Sequence, residues 1–403
     1  MKPKRQIVPV LTLVLFAIGC QGALSPTSPS PTTSTSLQPT TSAPVTSPSV
    51  PSPSLEVPTG TITFDRVDEA GEHYFTIGSD GSNERDLFSI QGCTCIQLSP
   101  DGSTIWTLSE TDHGTVAHTT MTVDGTERVV HVPPTKTLSL VAGPEASTPD
   151  GQLIAFYGWD DTNPGSAGLY LAGPDLAGLR QVTPMPDGVN AVAPYGVTPD
   201  GSRVLFYAET GSIGPVTHAG DLYVVDADGE NLKKLNPDGV SLAEVRGLPA
   251  SLSPDGARAA FAGFEGDPSR SAIYVVSLDG GPAQPITDVT AGIWSAAWAP
   301  VGDKITFTGA AISVVNADGT DRNDLSVAGD EVGYGAWSPE GTHLLVSRGP
   351  EATRDLWIME IDGTYVAQVT HEPAQYGFTA GGRSSSGDRK AVISAISFPA
   401  RRR

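Results

Sequence analysis

The chain has 403 residues, with 24 Lys+Arg against 45 Asp+Glu and a formal net charge of −21. So acidic a surface repels phosphate backbones and anionic lipid headgroups, which excludes nucleic acid as a partner. Three cysteines and seven scattered histidines (His73, His113, His118, His131, His218, His343 and His371) form neither a disulfide scaffold nor a zinc-ligand spacing, so no metal or cofactor is expected.

The N-terminus carries Lys2, Lys4 and Arg5, then an apolar run from Ile7 to Ile18 that ends at Gly19-Cys20. That is the layout of an export signal, and the run is too short to span a bilayer as a helix. Ala17-Ile18-Gly19-Cys20 resembles a bacterial lipobox, with Ala where Leu is usual, so residues 1–19 are predicted to be a lipoprotein signal peptide and Cys20 the lipid-attachment site. An ordinary cleaved signal giving a soluble secreted protein is the alternative. Residues 20–58 follow as a Ser/Thr/Pro tract with too few apolar side chains to offset the entropy of ordering. They are predicted to be a disordered tether that holds the next domain, 59–398, off the membrane; 399–403 form a basic tail.

Three strand-like pieces at 61–65, 73–77 and 85–90 come first, and then Cys93 and Cys95. Two residues apart on a strand, these cysteines point to one face, where a disulfide between them would be strained. Two buried thiols are the expected state, with a strained, reducible bond as the alternative. A four-residue phrase then recurs: Ser99-Pro100-Asp101-Gly102, Thr148-Pro149-Asp150-Gly151, Thr198-Pro199-Asp200-Gly201 and Ser253-Pro254-Asp255-Gly256, with weaker copies at Ala299-Pro300-Val301-Gly302 and Ser338-Pro339-Glu340-Gly341. Its prolines lie 49, 50, 55, 46 and 39 residues apart. Proline presets one turn angle, aspartate bonds back to the backbone and glycine accepts positive φ, so the phrase is a turn and not an active site. A β-rich run follows each turn, then a strand such as Leu222-Tyr223-Val224, then an Asp-Gly hairpin signal at Asp80, Asp124, Asp228, Asp279, Asp318 or Asp362.

Four antiparallel strands repeating every 40–50 residues describe a propeller blade. These turns, with Leu-Tyr-Val-Val-Asp-Ala-Asp-Gly at residues 222–229, resemble the WD40-like repeats of TolB-type propellers over roughly residues 60–397. TolB has an α/β domain ahead of its propeller, and here a Ser/Thr/Pro tract stands in that place. The resemblance implies an all-β propeller of four-stranded antiparallel blades. Seven is the expected number, with six and eight as alternatives, and pairing of N- and C-terminal strands is expected to close the ring.

Catalytic patterns are absent from the sequence. No Gly-x-Ser-x-Gly elbow occurs and too little chain follows the last unit for an α/β-hydrolase domain, so a peptidase of that kind is not expected. No catalytic residue is assigned, and the chain is expected not to be an enzyme. Both short turns of each unit lie on one rim, which leaves the long connections, 158–165, 184–195, 208–220 and 264–271, on the other. Rigid scaffolds carry recognition on such loops. Trp159, Asp160, Asp161, Tyr195, Trp294, Tyr334 and Tyr376 are therefore the candidate partner-binding residues, whereas Trp298 and Trp337, in phase with the turn prolines, belong to the core. The function expected is a lipid-anchored, extracytoplasmic, monomeric binding or scaffold protein for a protein or cell-envelope partner, in the periplasm or at the cell surface according to envelope type. The alternatives are a carbohydrate-active propeller enzyme of the lyase or glycosidase type, and a structural subunit of an envelope complex or export apparatus.

Overall fold

The computed structural model describes residues 57, 60–68, 71–90, 97–189, 191–212, 218–244, 250–291, 293, 295–309, 311–325, 332–350, 354–371, 375–377 and 391–394. Cys20, Cys93, Cys95 and Trp294 lie outside them, as do the predicted signal, most of the tether and the basic tail.

The recurring phrase closes on itself. The Ser99 hydroxyl donates to Asp101 Oδ1 at 2.6 Å, that oxygen accepts the Ser103 amide at 3.0 Å, and the Ser99 oxygen accepts the Thr104 amide at 2.9 Å. The same three bonds recur at Thr148, Thr198 and Ser253. Donation by the Thr198 hydroxyl, and then by Ser202, holds the Asp200 carboxyl down to about 2. Gly102 and Gly201 sit at φ +70° and +71°, which a side chain resists.

The strands flanking these turns make an all-β propeller whose one helical element, among the described residues, is the 3-10 turn Pro164–Ser166. No helix of the described residues is long and apolar enough to cross a membrane. Four sheets have four strands in the predicted order, for example Ser139–Ser147, Ile154–Trp159, Gly168–Ala172 and Arg180–Pro184. A fifth sheet gathers Gly60–Asp68, Gly71–Gly78 and Arg85–Ile90 from the N-terminal end with Gln375–Gly377 and Ala391–Ser394 from the C-terminal end. The last of these runs parallel to Gly60–Asp68, so this sheet departs from the four-stranded antiparallel blade expected.

The expected seven separate blades are corrected by the sixth sheet, which has ten strands and leaves five sheets of blade size. Its cause is Val240–Glu244, which pairs with residues 218–220 on one side and 263–265 on the other, fusing two repeats. For the same reason the predicted loops 208–220 and 264–271 are largely extended hairpin, with Ala208 opposite Asp221 and Phe264 opposite Ser271.

Neighbouring units pack through mixed clusters of buried side chains, and one cluster joins the two ends of the propeller: Ile62, Phe64 and Ile77 meet Leu345, Leu356, Ile358 and Val369. Trp298 and Trp337 are buried, as their phase predicts. Backbone also meets backbone between units. A Cβ on Gly229 (φ +93°) would overlap the carbonyl oxygen of Val182 in the preceding unit. Gly319 faces Ile286, Gly363 faces Leu325, and Gly81, near the N-terminal end, faces Val369 near the other end.

Replacing Gly229 with alanine adds both that overlap and a disfavoured backbone angle, and is expected to cost about 2 kcal/mol or more in denaturant unfolding. An unchanged midpoint and slope would show that the units do not depend on this contact. A second expectation concerns His118, 1 % exposed and enclosed by the rings of Trp106, Phe156 and His131. Burial first, and His131 second, depress its pKa from 6.5 to about 3. The unfolded chain therefore takes up the proton first, so stability is full above pH 6.5 and falls as pH drops toward 3. The loss from neutral pH to about pH 4.5 is on the order of 3 kcal/mol. A His118→Leu variant is expected to flatten the stability–pH curve over that interval, and an equally steep curve would refute the assignment.

Candidate functional site

On the strand Ile154–Trp159, alternation puts Ala155, Tyr157 and Trp159 on one face, running from the core to the long-connection rim. Ala155 is fully buried, while Tyr157 and Trp159 are half-buried and stack at 5.2 Å between centroids and 24° between planes. Gly158 lies between them on the opposite face, where any Cβ would strike the Tyr170 ring at 2.6 Å. Trp159 is thus the last residue of a strand, paired with Ser139, and not the loop residue expected from sequence.

Asp160, 6 % exposed, fixes the turn that follows. It accepts from the Thr137 hydroxyl at 2.6 Å and from the Thr162 amide and hydroxyl at 2.8 and 2.6 Å, while its own carbonyl accepts the Asn163 amide at 2.9 Å. The Thr137 bond, then those of Thr162, hold its carboxyl below the ordinary range. Asp160 is therefore committed to holding this turn. The rest of the connection is also tied down: the Tyr170 hydroxyl donates to the Ser166 carbonyl at 2.6 Å, and Gln181 Nε2 reaches the carbonyls of residues 165–167 at 3.3–3.5 Å.

Asp161 stands exposed beyond that turn. Glu209 lies on the strand Arg203–Ser212 of the adjoining sheet and is 7 % exposed. Both carboxylates act on the Tyr157 hydroxyl, whose pKa is raised first by burial, then by Asp161 and then by Glu209.

Tyr195 is a core residue, 3 % exposed within the strand Ala191–Val197 and 6.2 Å from the Tyr207 ring, which corrects its expected place on a recognition loop. The backbones of Tyr334 and Tyr376 lie in strands opposite Val346 and Arg66. Among the described residues no group of three or more His, Cys, Asp or Glu is arranged to hold a metal ion. Sequence reading overlooked Tyr157 and Glu209. The two-residue offset from Tyr157 to Trp159 on a strand was a usable signal; Glu209 had none, because it arrives from the next repeat.

No family model matches the chain, and no curated protein matches it. Solved structures do match. Oligogalacturonate lyase from Vibrio parahaemolyticus aligns with a TM-score of 0.53 at 13% identity over 71% of this chain and 82% of its own. Puromycin hydrolase aligns at 0.52 with 18% identity over 72% of this chain, which spans only 48% of the hydrolase. TolB from Acinetobacter baumannii gives 0.47 and 17% identity over 81% of this chain, which spans 65% of that TolB. Likenesses at such identities concern the fold alone. They correct one expectation: two enzymes share this architecture, so a firm exclusion of catalysis does not stand. The architecture is that of a β-propeller.

Proposed function

We propose that the chain is an extracytoplasmic binding or scaffold protein, anchored by lipid on Cys20 and extended on the 20–58 tether, whose domain at 59–398 recognises a protein or cell-envelope partner through the long-connection rim. The observation that carries this reading is the stacked Tyr157–Trp159 pair, held at the rim by the bonded turn at Asp160. Aromatic side chains fixed in place lose little entropy on binding and supply large contact area, so they serve as anchors in interfaces. Asp161 follows the pair in the chain and is exposed.

A second reading, action on carbohydrate, is favoured by the same stack, since aromatic faces also receive sugar rings and acidic residues can serve as general acid or base. The alignment with an oligogalacturonate lyase supports it no further than the shared fold. Turnover of a glycan or polyuronide by the purified protein, lost on Asp161→Asn, would favour this reading over binding alone.

Crosslinking in the native cell followed by capture is expected to recover a discrete partner with the wild-type chain and at least about tenfold less with Trp159→Ala, a loss of 1.4 kcal/mol or more. Equal recovery would overturn the rim assignment. Anchorage is tested separately: Cys20→Ala is expected to move the protein from the membrane fraction to the soluble one, and retention in the membrane would refute lipidation at this cysteine.

A further inference from the structure

We propose that the seam between the unit at residues 97–131 and the unit at 139–184 is acid-operated: protonation of the buried His118 opens its outer part while the seams clasped by glycine stay shut. This seam is built unlike those others. Elsewhere the glycine of an Asp-Gly turn lies against a carbonyl of the preceding unit, Gly229 against Val182, Gly319 against Ile286 and Gly363 against Leu325. Here the corresponding connection is 173–178, which has no Asp-Gly pair, and a Cβ on Gly178 would meet nothing within 4 Å. Leu176 in that connection is instead held at φ +64° and 8 % exposed, in one cluster with Phe156, Tyr170 and, from the neighbouring unit, Trp106. A left-handed backbone angle is disfavoured for leucine, so this packing holds strain that opening relieves. The inner end is fastened separately, by Gln97 donating to the Gly143 carbonyl at 2.6 Å, which confines opening to the outer strands.

His118 stands in this seam on the strand Val116–Thr122. Its ring lies edge-on to Trp106 of its own unit at 6.2 Å and to Phe156 of the next at 5.3 Å, and stacks at 5.9 Å on His131 of the outer strand Val129–His131. It is 1 % exposed, and neither Nδ1 nor Nε2 has a hydrogen-bond partner. A neutral imidazole packs there as one more aromatic ring. An imidazolium would present two N–H donors with nothing to receive them and a second imidazole against its face. His131 is itself fixed, with Nε2 2.8 Å from the Thr120 hydroxyl. Asp175, on the connection 173–178, acts on His131, whereas Arg128 is spent on Ser109 Oγ at 2.6 Å on the other face of the sheet. The Pro174 carbonyl favours a charged His118, but less than burial and His131 oppose it. Opening gives both nitrogens to water, so the closed seam is favoured fully above pH 6.5 and progressively less as pH falls toward 3.

The test is hydrogen exchange of the full-length protein from pH 7 to pH 5, corrected for intrinsic rates and read under conditions where exchange reports the opening equilibrium. One histidine that titrates at 6.5 when open and at about 3 when closed raises that equilibrium about 25-fold over the interval. Peptides covering 116–132 and 172–179 are therefore expected to lose at least about tenfold in protection, and those covering 224–229 and 312–319, at glycine-clasped seams, less than about threefold. Global unfolding takes up the same proton, so locality is the discriminating readout. His118→Leu is expected to remove the pH dependence of the first pair of peptides, and His131→Gln, which leaves Thr120 a partner, to keep most of it. The wild-type profile carries the test by itself should His118→Leu not fold: protection is expected to be level above pH 6.5 and to fall by nearly tenfold per pH unit well below it. Equal loss at every seam, no loss by pH 5, undiminished loss in a folded His118→Leu, or complete suppression by His131→Gln would overturn the inference.

Discussion

Close approach of backbone to backbone between successive units is the constraint on which this propeller depends. Four of the Asp-Gly turns put their glycine where the outer strand of the preceding unit presents a carbonyl: Gly229 against Val182, Gly319 against Ile286, Gly363 against Leu325, and Gly81 against Val369. The last contact has the geometry of the others but joins opposite ends of the chain, so one local rule both stacks the units and closes them. Side chains reinforce it. Arg180 donates to the Ala227 carbonyl, Lys233 to Asp279 at 2.6 Å and Asn323 to Ile361 at 3.2 Å, each reaching into the Asp-Gly turn of the next unit. Outer strands so engaged are covered at one end, which limits the pairing with foreign strands that free edges invite.

The innermost strands follow a similar rule with different chemistry. Gln97 donates to the Gly143 carbonyl at 2.6 Å, the Trp298 amide donates to the Ser251 hydroxyl at 2.8 Å, and Trp337 Nε1 donates to the Ala297 carbonyl at 3.2 Å. A Cβ on Gly143 would overlap Pro194, so two inner strands approach as near as a glycine allows. Polar groups near the axis are therefore spent on neighbouring units. With both the hub and the short-turn rim committed to structure, chemical variety is left to the opposite rim, where Tyr157, Trp159 and Asp161 stand.

Fold and phase were legible because each repeat must meet the same steric demands: proline, aspartate and glycine recur wherever the backbone must turn, and the tryptophans at 298 and 337 fall in register with them. The merger of two repeats was not legible, since Val240–Glu244 occupies what reads as a connection and its partners lie more than 20 residues away on both sides. Tyr195 reads as part of a long connection but extends the inner strand Ala191–Val197, and packing against Tyr207 overrides its polar hydroxyl. Asp160 reads as a ligand contact but fastens a turn, because a short acid after a strand serves equally for either, and its bond from Thr137, 23 residues earlier, is not visible in the local sequence.

Stiffness at the aromatic pair and acidity of the whole chain bear on the proposed function together. The pair is fastened by Asp160 and backed by the Tyr170 ring beneath Gly158, so a ligand bound there would lose little of the interaction to fixing rotamers. Around it, a net charge of −21 generates a negative field that screening confines to about 8–10 Å in physiological salt. Such a field speeds the approach of cationic segments yet cannot select among them, because exposed acids are spread over many units. Under the proposed function, selection would come from a place where aromatic surface coincides with low mobility, as it does at the stacked Tyr157–Trp159 pair. The repeats supply the scaffold, and the connection after Trp159 is where its sequence departs from them.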